Sequence, residues 1–217
     1  MRLTAASRRA ALRTLLLLAA FALVACARPP AVAQPTPTPS GPPPAPRQLG
    51  EAEARALVGD RVREILAALK AKDAAALAAL AHPTKGVRFS PYPHVDVARD
   101  VLLARAALAN AFADPTVRTW GITDGRGEQI VGTFADYHAR WIYDRDFAAA
   151  PESAFNRPLG AGNMIDNTAD VYPDAILAEQ HFPNSADRLD WKSLRLLLEW
   201  HEGEWYLVGV VHGEWTI

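Results

Sequence analysis

Four apolar residues at alternate positions near the C-terminus constrain the fold more than any other feature of the chain. Leu194, Leu196, Leu198 and Trp200 alternate with Arg195, Leu197 and Glu199, Glu202-Gly203 offers a tight turn, and Trp205 to Val211 returns. Successive side chains on a strand point to opposite sides of a sheet, so this spacing predicts a hairpin with one strongly apolar face. An apolar face needs a second layer to cover it. Glu199 and His201 fall on the other face and are expected in solvent. Ala175 to Phe182 reads as a further strand.

The covering layer is legible upstream. From Glu51 to Lys70, Leu57, Val58, Val62, Ile65, Leu66 and Leu69 recur three and four apart and make one helical stripe. Asp73 is an N-cap for a second helix over Ala74 to Ala81, which His82-Pro83 ends. Gly86 to Ser90 alternates like a strand before Pro91 and Pro93 break it. Ala104 to Ala113 reads as a helix, and Trp120-Gly121-Ile122 as a short apolar run before a turn at residues 124–127. Thr133 and Asp136 have the spacing of a capping box that opens a helix carrying Phe134, Tyr137 and Trp141. Residues 144–170 predict one long loop, and loops of that length in small domains often carry function. Helices first and a hairpin last predict an α+β domain over residues 49–217: a curved antiparallel sheet with the N-terminal helices packed on one face.

The first 48 residues follow other rules. A basic stretch with Arg2, Arg8, Arg9 and Arg13 precedes an apolar run from Leu15 to Ala25, the layout of a secretory signal. The run is too short to span a bilayer, which needs about 20 apolar residues. Cys26 is the one cysteine of the chain, so no internal disulfide forms. Leu23-Val24-Ala25-Cys26 resembles the bacterial lipobox. The resemblance implies cleavage before Cys26, lipidation of its thiol, and a domain held outside the cytoplasm on an inner or outer membrane. Residues 26–48 form the tether, with nine prolines from Pro29 to Pro46. Proline at that density favours extended polyproline II, a semi-rigid spacer. Four of the 23 basic residues lie in the leader; the remaining 19 face 24 acidic ones, a formal charge of −5. That balance argues against a nucleic-acid partner, which rewards clustered Lys and Arg.

The helix pair 51–81, the strand Val87-Arg88-Phe89 and the hairpin through Gly203, Trp205 and Val211 resemble, in that order, the NTF2-like or SnoaL-like fold. The resemblance implies a cone-shaped domain with an apolar pocket. His82 to Tyr92 is also similar to a segment of uncharacterised bacterial exported proteins, which implies location and no chemistry. The chain contains no HExxH, GxSxG, GxGxxG or P-loop motif. Glu179 and His181 share a strand face and are the first suspects for an acid–base pair. Asp136 with His138 is a weaker pair. His94 and Asp96 would hold a metal only if His181 or His212 converged on them, and a solvated loop is the favoured reading, so no metal or other cofactor is expected. Arg88, Tyr92, His181 and Arg195 are the polar candidates for a ligand pocket with aromatic walls. The expected role is a lipid-anchored accessory or binding domain, whose partner beyond the membrane is a small apolar ligand or an envelope protein. The alternatives are a SnoaL-like enzyme and a structural envelope protein.

Overall fold

The structure, a computed structural model, describes residues 46–216 except 161 and 187. Cys26, the leader over residues 1–25 and the tether as far as residue 45 lie outside the described residues. Among the described residues, no helix is long and apolar enough to cross a membrane.

Helix α1 (Glu51–Ala71) buries Val58, Val62, Ile65, Leu66 and Leu69, the expected stripe; Leu57 lies outside it and is exposed. It stops at Lys72, whose left-handed backbone lets its amide donate to the Leu69 carbonyl at 3.2 Å. Asp73 then accepts a hydrogen bond from the Ala76 amide at 2.9 Å and starts α2 (Ala74–Leu80). Three residues assigned to the tether belong to the domain. Pro46–Gln48 form a turn of 3-10 helix, and the half-buried Arg47 donates to the carbonyls of Tyr172 and Thr168 at 3.0 and 2.9 Å.

Six strands make the main sheet: β1 (Val87–Ser90), β2 (Val101–Leu103), β5 (Glu152–Phe155), β6 (Ala175–Phe182), β7 (Lys192–His201) and β8 (Glu204–Glu214). Their order is β2-β1-β8-β7-β6-β5. Every neighbouring pair is antiparallel except β1 and β8, which run parallel. The sheet is therefore mixed, a departure from the all-antiparallel expectation. Side-chain alternation reports which face a residue takes and carries no strand direction; a parallel neighbour needs a long crossover, here everything between β1 and β8.

The C-terminal hairpin turns on Glu202 and Gly203, both at positive φ (47° and 97°), the two-residue turn whose twist suits paired strands. Val208 is an extra residue in β8, because Leu198 pairs with Leu207 while Leu197 pairs with Gly209. The bulge shifts the parity of β8. Trp205 and Leu207 join the helix-side core before it, and Val210 does so after it.

Between β2 and β5 lies a second hairpin, β3 (Arg118–Ile122) with β4 (Gln129–Gly132). The expected helix over 104–113 shrinks to α3 (Arg105–Leu108) followed by turns. Thr133 and Asp136 form the full capping box of α4 (Phe134–Tyr137), which runs on as a π-helical turn over His138–Ile142. Residues 144–170 are not one loop: they contain β5, which pairs with β6, and the start of α5 (Thr168–Val171).

Both sheet faces are covered. The larger core lies under the helices and includes Phe89, Trp120, Phe134, Ile176, Leu194, Leu196 and Leu198. On the other face, Val95 and Tyr172 pack over Ala175, Leu177, Leu197, Val208 and Val211. Glu199 is accordingly buried, with 6% of its surface exposed, and is paired with Lys85; His201 is half-buried with its ring 4.7 Å from that of His82. This corrects the expectation that both are solvated. The loops after β1 and β5 fold back over the face, and neither loop has a periodicity that would announce it.

Candidate functional site

Strands β1 and β8 end, and β7 begins, at the same end of the sheet, and there the loops leave two adjoining clefts. The larger, about 390 Å³, is walled by Pro91 and Tyr92 after β1, by Gly121 to Asp124 at the end of β3, and by Met164 and Ile165. Its polar groups are His94, Asp96, Arg99, Asp100 and Asp124. The smaller, about 210 Å³, shares Tyr92 and Met164 and is lined further by Trp191, Asp166, Arg195 and Glu214. Clefts of this size with apolar walls and few polar groups suit small ligands.

Asp100 is the distinctive group. It is 7% exposed, and its Oδ2 accepts from Ser90 Oγ at 2.5 Å and from the Asp96 amide at 2.9 Å. Oδ1 accepts no hydrogen bond among the described residues, although Asp100 lines the cleft. Burial pushes the carboxyl up to about 6, and the two hydrogen bonds only moderate the rise. Gly121 keeps the wall open. It sits at φ +145°, and a Cβ there would come within 3.0 Å of Pro91 and 3.7 Å of Asp100 Oδ1. Tyr92 packs its ring 5.3 Å from that of Trp141, and its hydroxyl accepts from the Asp124 amide at 3.2 Å. Behind these, the Tyr137 hydroxyl is buried with no hydrogen-bond partner among the described residues, and its ring stacks with that of Trp120, centroids 4.3 Å apart; burial, then the nearby Asp100, raises its pKa well above the usual value.

Glu179, His181 and Arg195 lie on the sheet face away from the helices and form a closed network. Glu179 Oε1 accepts from the Gly160 amide at 2.9 Å and from Ser193 Oγ at 2.5 Å; Oε2 accepts from the Leu159 amide at 2.9 Å and from Arg195 Nε at 3.0 Å. Arg195 donates onward to Asp166 at 2.5 Å and to the Gly160 carbonyl at 2.9 Å. Ser193 gives its proton to Glu179, so His181 Nδ1, 2.8 Å away, donates to Ser193. Burial lowers the pKa of His181. With four donors on it, the Glu179 carboxylate is committed to holding the loop of residues 159–166 against the sheet.

The other sequence candidates separate. Arg88 donates to the carbonyls of Val97 and Asp100, both at 2.9 Å, and so shapes the loop that bears Asp100. Asp136 is spent in the capping box, while His138 is buried, bonded through Nε2 to the Leu69 carbonyl at 3.0 Å and pushed down by burial to about 4. His94 and Asp96 line the larger cleft, but His212 lies elsewhere, beside Trp141 and Asp144, and His181 is bonded to Ser193. Asp144, His212 and Glu214 are the one group of metal-ligating spacing found among the described residues. They do not fit a divalent ion, because the Lys192 ammonium already lies between the two carboxylates, bonded to Asp144 and, at 2.8 Å, to Glu214. Burial opposes ionisation of Asp144, yet His212 and Lys192 hold it at about 2.

No protein-family model, curated protein or solved structure matches this chain. Asp100, Met164, Ile165 and Trp191 escaped the sequence reading. They stand in segments without periodicity, and only the folding back of two loops brings them to one place.

Proposed function

We propose that this chain is a lipid-tethered, extracytoplasmic binding domain whose ligand occupies the cleft beside Asp100. The observation that carries the reading is the pairing of apolar walls with a buried carboxylate that keeps one oxygen unshared. Oδ2 is held by protein donors and the side chain lines the cleft, so Oδ1 is the oxygen that a ligand can reach. The saturation of Glu179 favours binding over acid–base catalysis at the pair first suspected. The tether reading rests on the lipobox-like Leu23-Val24-Ala25-Cys26 and the proline-rich stretch after it. The NTF2-like cone is part of the same proposal. Its support is the helix pair, the strand after it and the final hairpin, which occur in the expected order around one sheet.

Two measurements test the proposal. Fatty-acid labelling of the expressed precursor should disappear in Cys26→Ser, and persistence of label would remove the tether. Nile red, a neutral apolar fluorophore, should bind the domain saturably at one site. Ile165, 75% exposed on the cleft wall, can be changed without touching the core. Ile165→Asp should weaken binding at least fivefold. Equal binding by the variant, or no saturable binding at all, would remove the cleft from the reading.

A further inference from the structure

We infer that the cleft selects an organic ammonium, a small amine with an apolar body, whose charged end sits on Asp100. This rests on the reading of the cleft as the binding site and adds the ligand's chemical class. Three features point the same way. First, Asp100 Oδ2 is fully engaged by Ser90 and Asp96, which fixes the carboxylate plane, while Oδ1 is left for a donor that the described residues do not supply. An ammonium supplies that donor and a compensating charge, and hydrogen bonds with ionised partners are the stronger kind. Second, the lining carries three carboxylates, Asp96, Asp100 and Asp124, against the one guanidinium of Arg99. Arg99 is turned to Asp96 at 3.3 Å and makes no bond to Asp100. An anionic ligand would meet net repulsion here, and a cation net attraction. Third, Ile122 and Ile165, exposed at 45% and 75%, stand with Met164 and Tyr92 on the same cleft. They offer an apolar track beside the charge, which a bare metal ion would leave unused.

Several groups surround Asp100 and bear on its charge. Arg88 reaches it from β1, Asp96 and Arg99 share its loop, Tyr137 approaches from α4 and Tyr172 from the end of α5; His94 and Asp124 share the cleft. Of these, Arg88 is the cation whose charge bears on the carboxyl, and it is bonded to the Asp100 backbone carbonyl, leaving Oδ1 unshared.

The test uses three probes of one shape: 4-phenylbutylammonium, 4-phenylbutanol and 4-phenylbutanoate, titrated calorimetrically into residues 46–217 and into the full chain at pH 7.5. The ammonium should bind at least tenfold tighter than the alcohol, and the carboxylate should bind weakest. Asp100→Asn should lose at least tenfold in ammonium affinity and stay within threefold for the alcohol. The ranking of probes on the unmodified protein needs no variant, so a poorly folding substitution does not spoil the test. If the alcohol or the carboxylate binds as tightly as the ammonium, ammonium selection is wrong and the binding cleft stands. If none of the three binds at millimolar concentration while Nile red does, ammonium selection is again wrong. If neither the three probes nor Nile red binds, both readings fall.

Discussion

Asp100→Asn should reverse its effect on stability with pH. The folded carboxyl titrates at about 6, against 3.8 for an unperturbed aspartate. A raised carboxylate pKa means that the folded state holds a proton which the unfolded state has released. Its contribution is therefore fully present below about pH 4 and is lost as pH rises through about 6. Two units correspond to about 3 kcal/mol at 1.36 kcal/mol each, and water in the cleft reduces this to about 1–3 kcal/mol. Asparagine keeps the geometry: its amide oxygen can accept from Ser90 and the Asp96 amide, and its NH2 then faces the cleft. It carries no charge to desolvate at any pH. Urea denaturation of both proteins at pH 4, 5, 6, 7 and 8 should show the stability of wild type relative to the variant falling by about 1–3 kcal/mol across that range. His138, whose folded pKa is lowered to about 4, titrates in the opposite sense in the same window, but it is common to both proteins and cancels in the difference. Equal m-values would show that the unfolded states are comparable. A difference constant to within about 0.5 kcal/mol from pH 4 to 8 would refute the strained carboxylate.

Glu179→Ala removes one member of a fully buried ion pair, leaves Arg195 with Asp166 as its one carboxylate partner, and takes the acceptor from four donors, so it should cost about 3–5 kcal/mol and raise hydrogen exchange at Leu159 and Gly160, whose amides lose their acceptor. Deleting Pro46 to Gln48 should lower the melting temperature by several degrees, because Arg47 gives up two charge-assisted hydrogen bonds worth about 1.5–3 kcal/mol each at most; calorimetry of chains beginning at residues 46 and 49 measures this. Leu196→Ala should cost about 2–5 kcal/mol in urea denaturation. Glu199→Ala should cost only about 1 kcal/mol despite its burial, because Lys85, its partner, is more than half exposed and rehydrates.

The long α1 and the C-terminal hairpin were legible because each announces itself through a period: the stripe of Val58, Val62, Ile65 and Leu69, and the alternation of Leu194, Leu196 and Leu198. The caps at Asp73 and Thr133 were legible from local chemistry. The second covered face was not, because a strand such as Ser193-Leu194-Arg195 looks alike whether Arg195 meets water or a buried Glu179. The parity of β8 was hidden by Val208, an inserted residue with no compositional mark. Of the four pocket candidates that the sequence offers, the structure puts Tyr92 on both clefts and Arg195 on the smaller one, while Arg88 and His181 line neither. Asp100 could not have been found, since its place depends on Arg88 and Ser90 drawing the loop of residues 91–100 back onto β1.

The grip of Arg47 has a mechanical consequence. The carbonyls it holds belong to Thr168 and Tyr172, and the chain just ahead of them, Met164 to Asp166, forms part of the cleft wall. A pull on the polypeptide upstream of Pro46 is therefore shared between the segment that shapes the cleft and Asn156, whose side-chain amide donates to the Pro46 carbonyl at 2.7 Å and which is itself bonded to Leu177 of β6. If this domain works at the end of a stretched leash, tension and ligand occupancy act on the same few residues, and a taut chain and a slack one should bind with different strength.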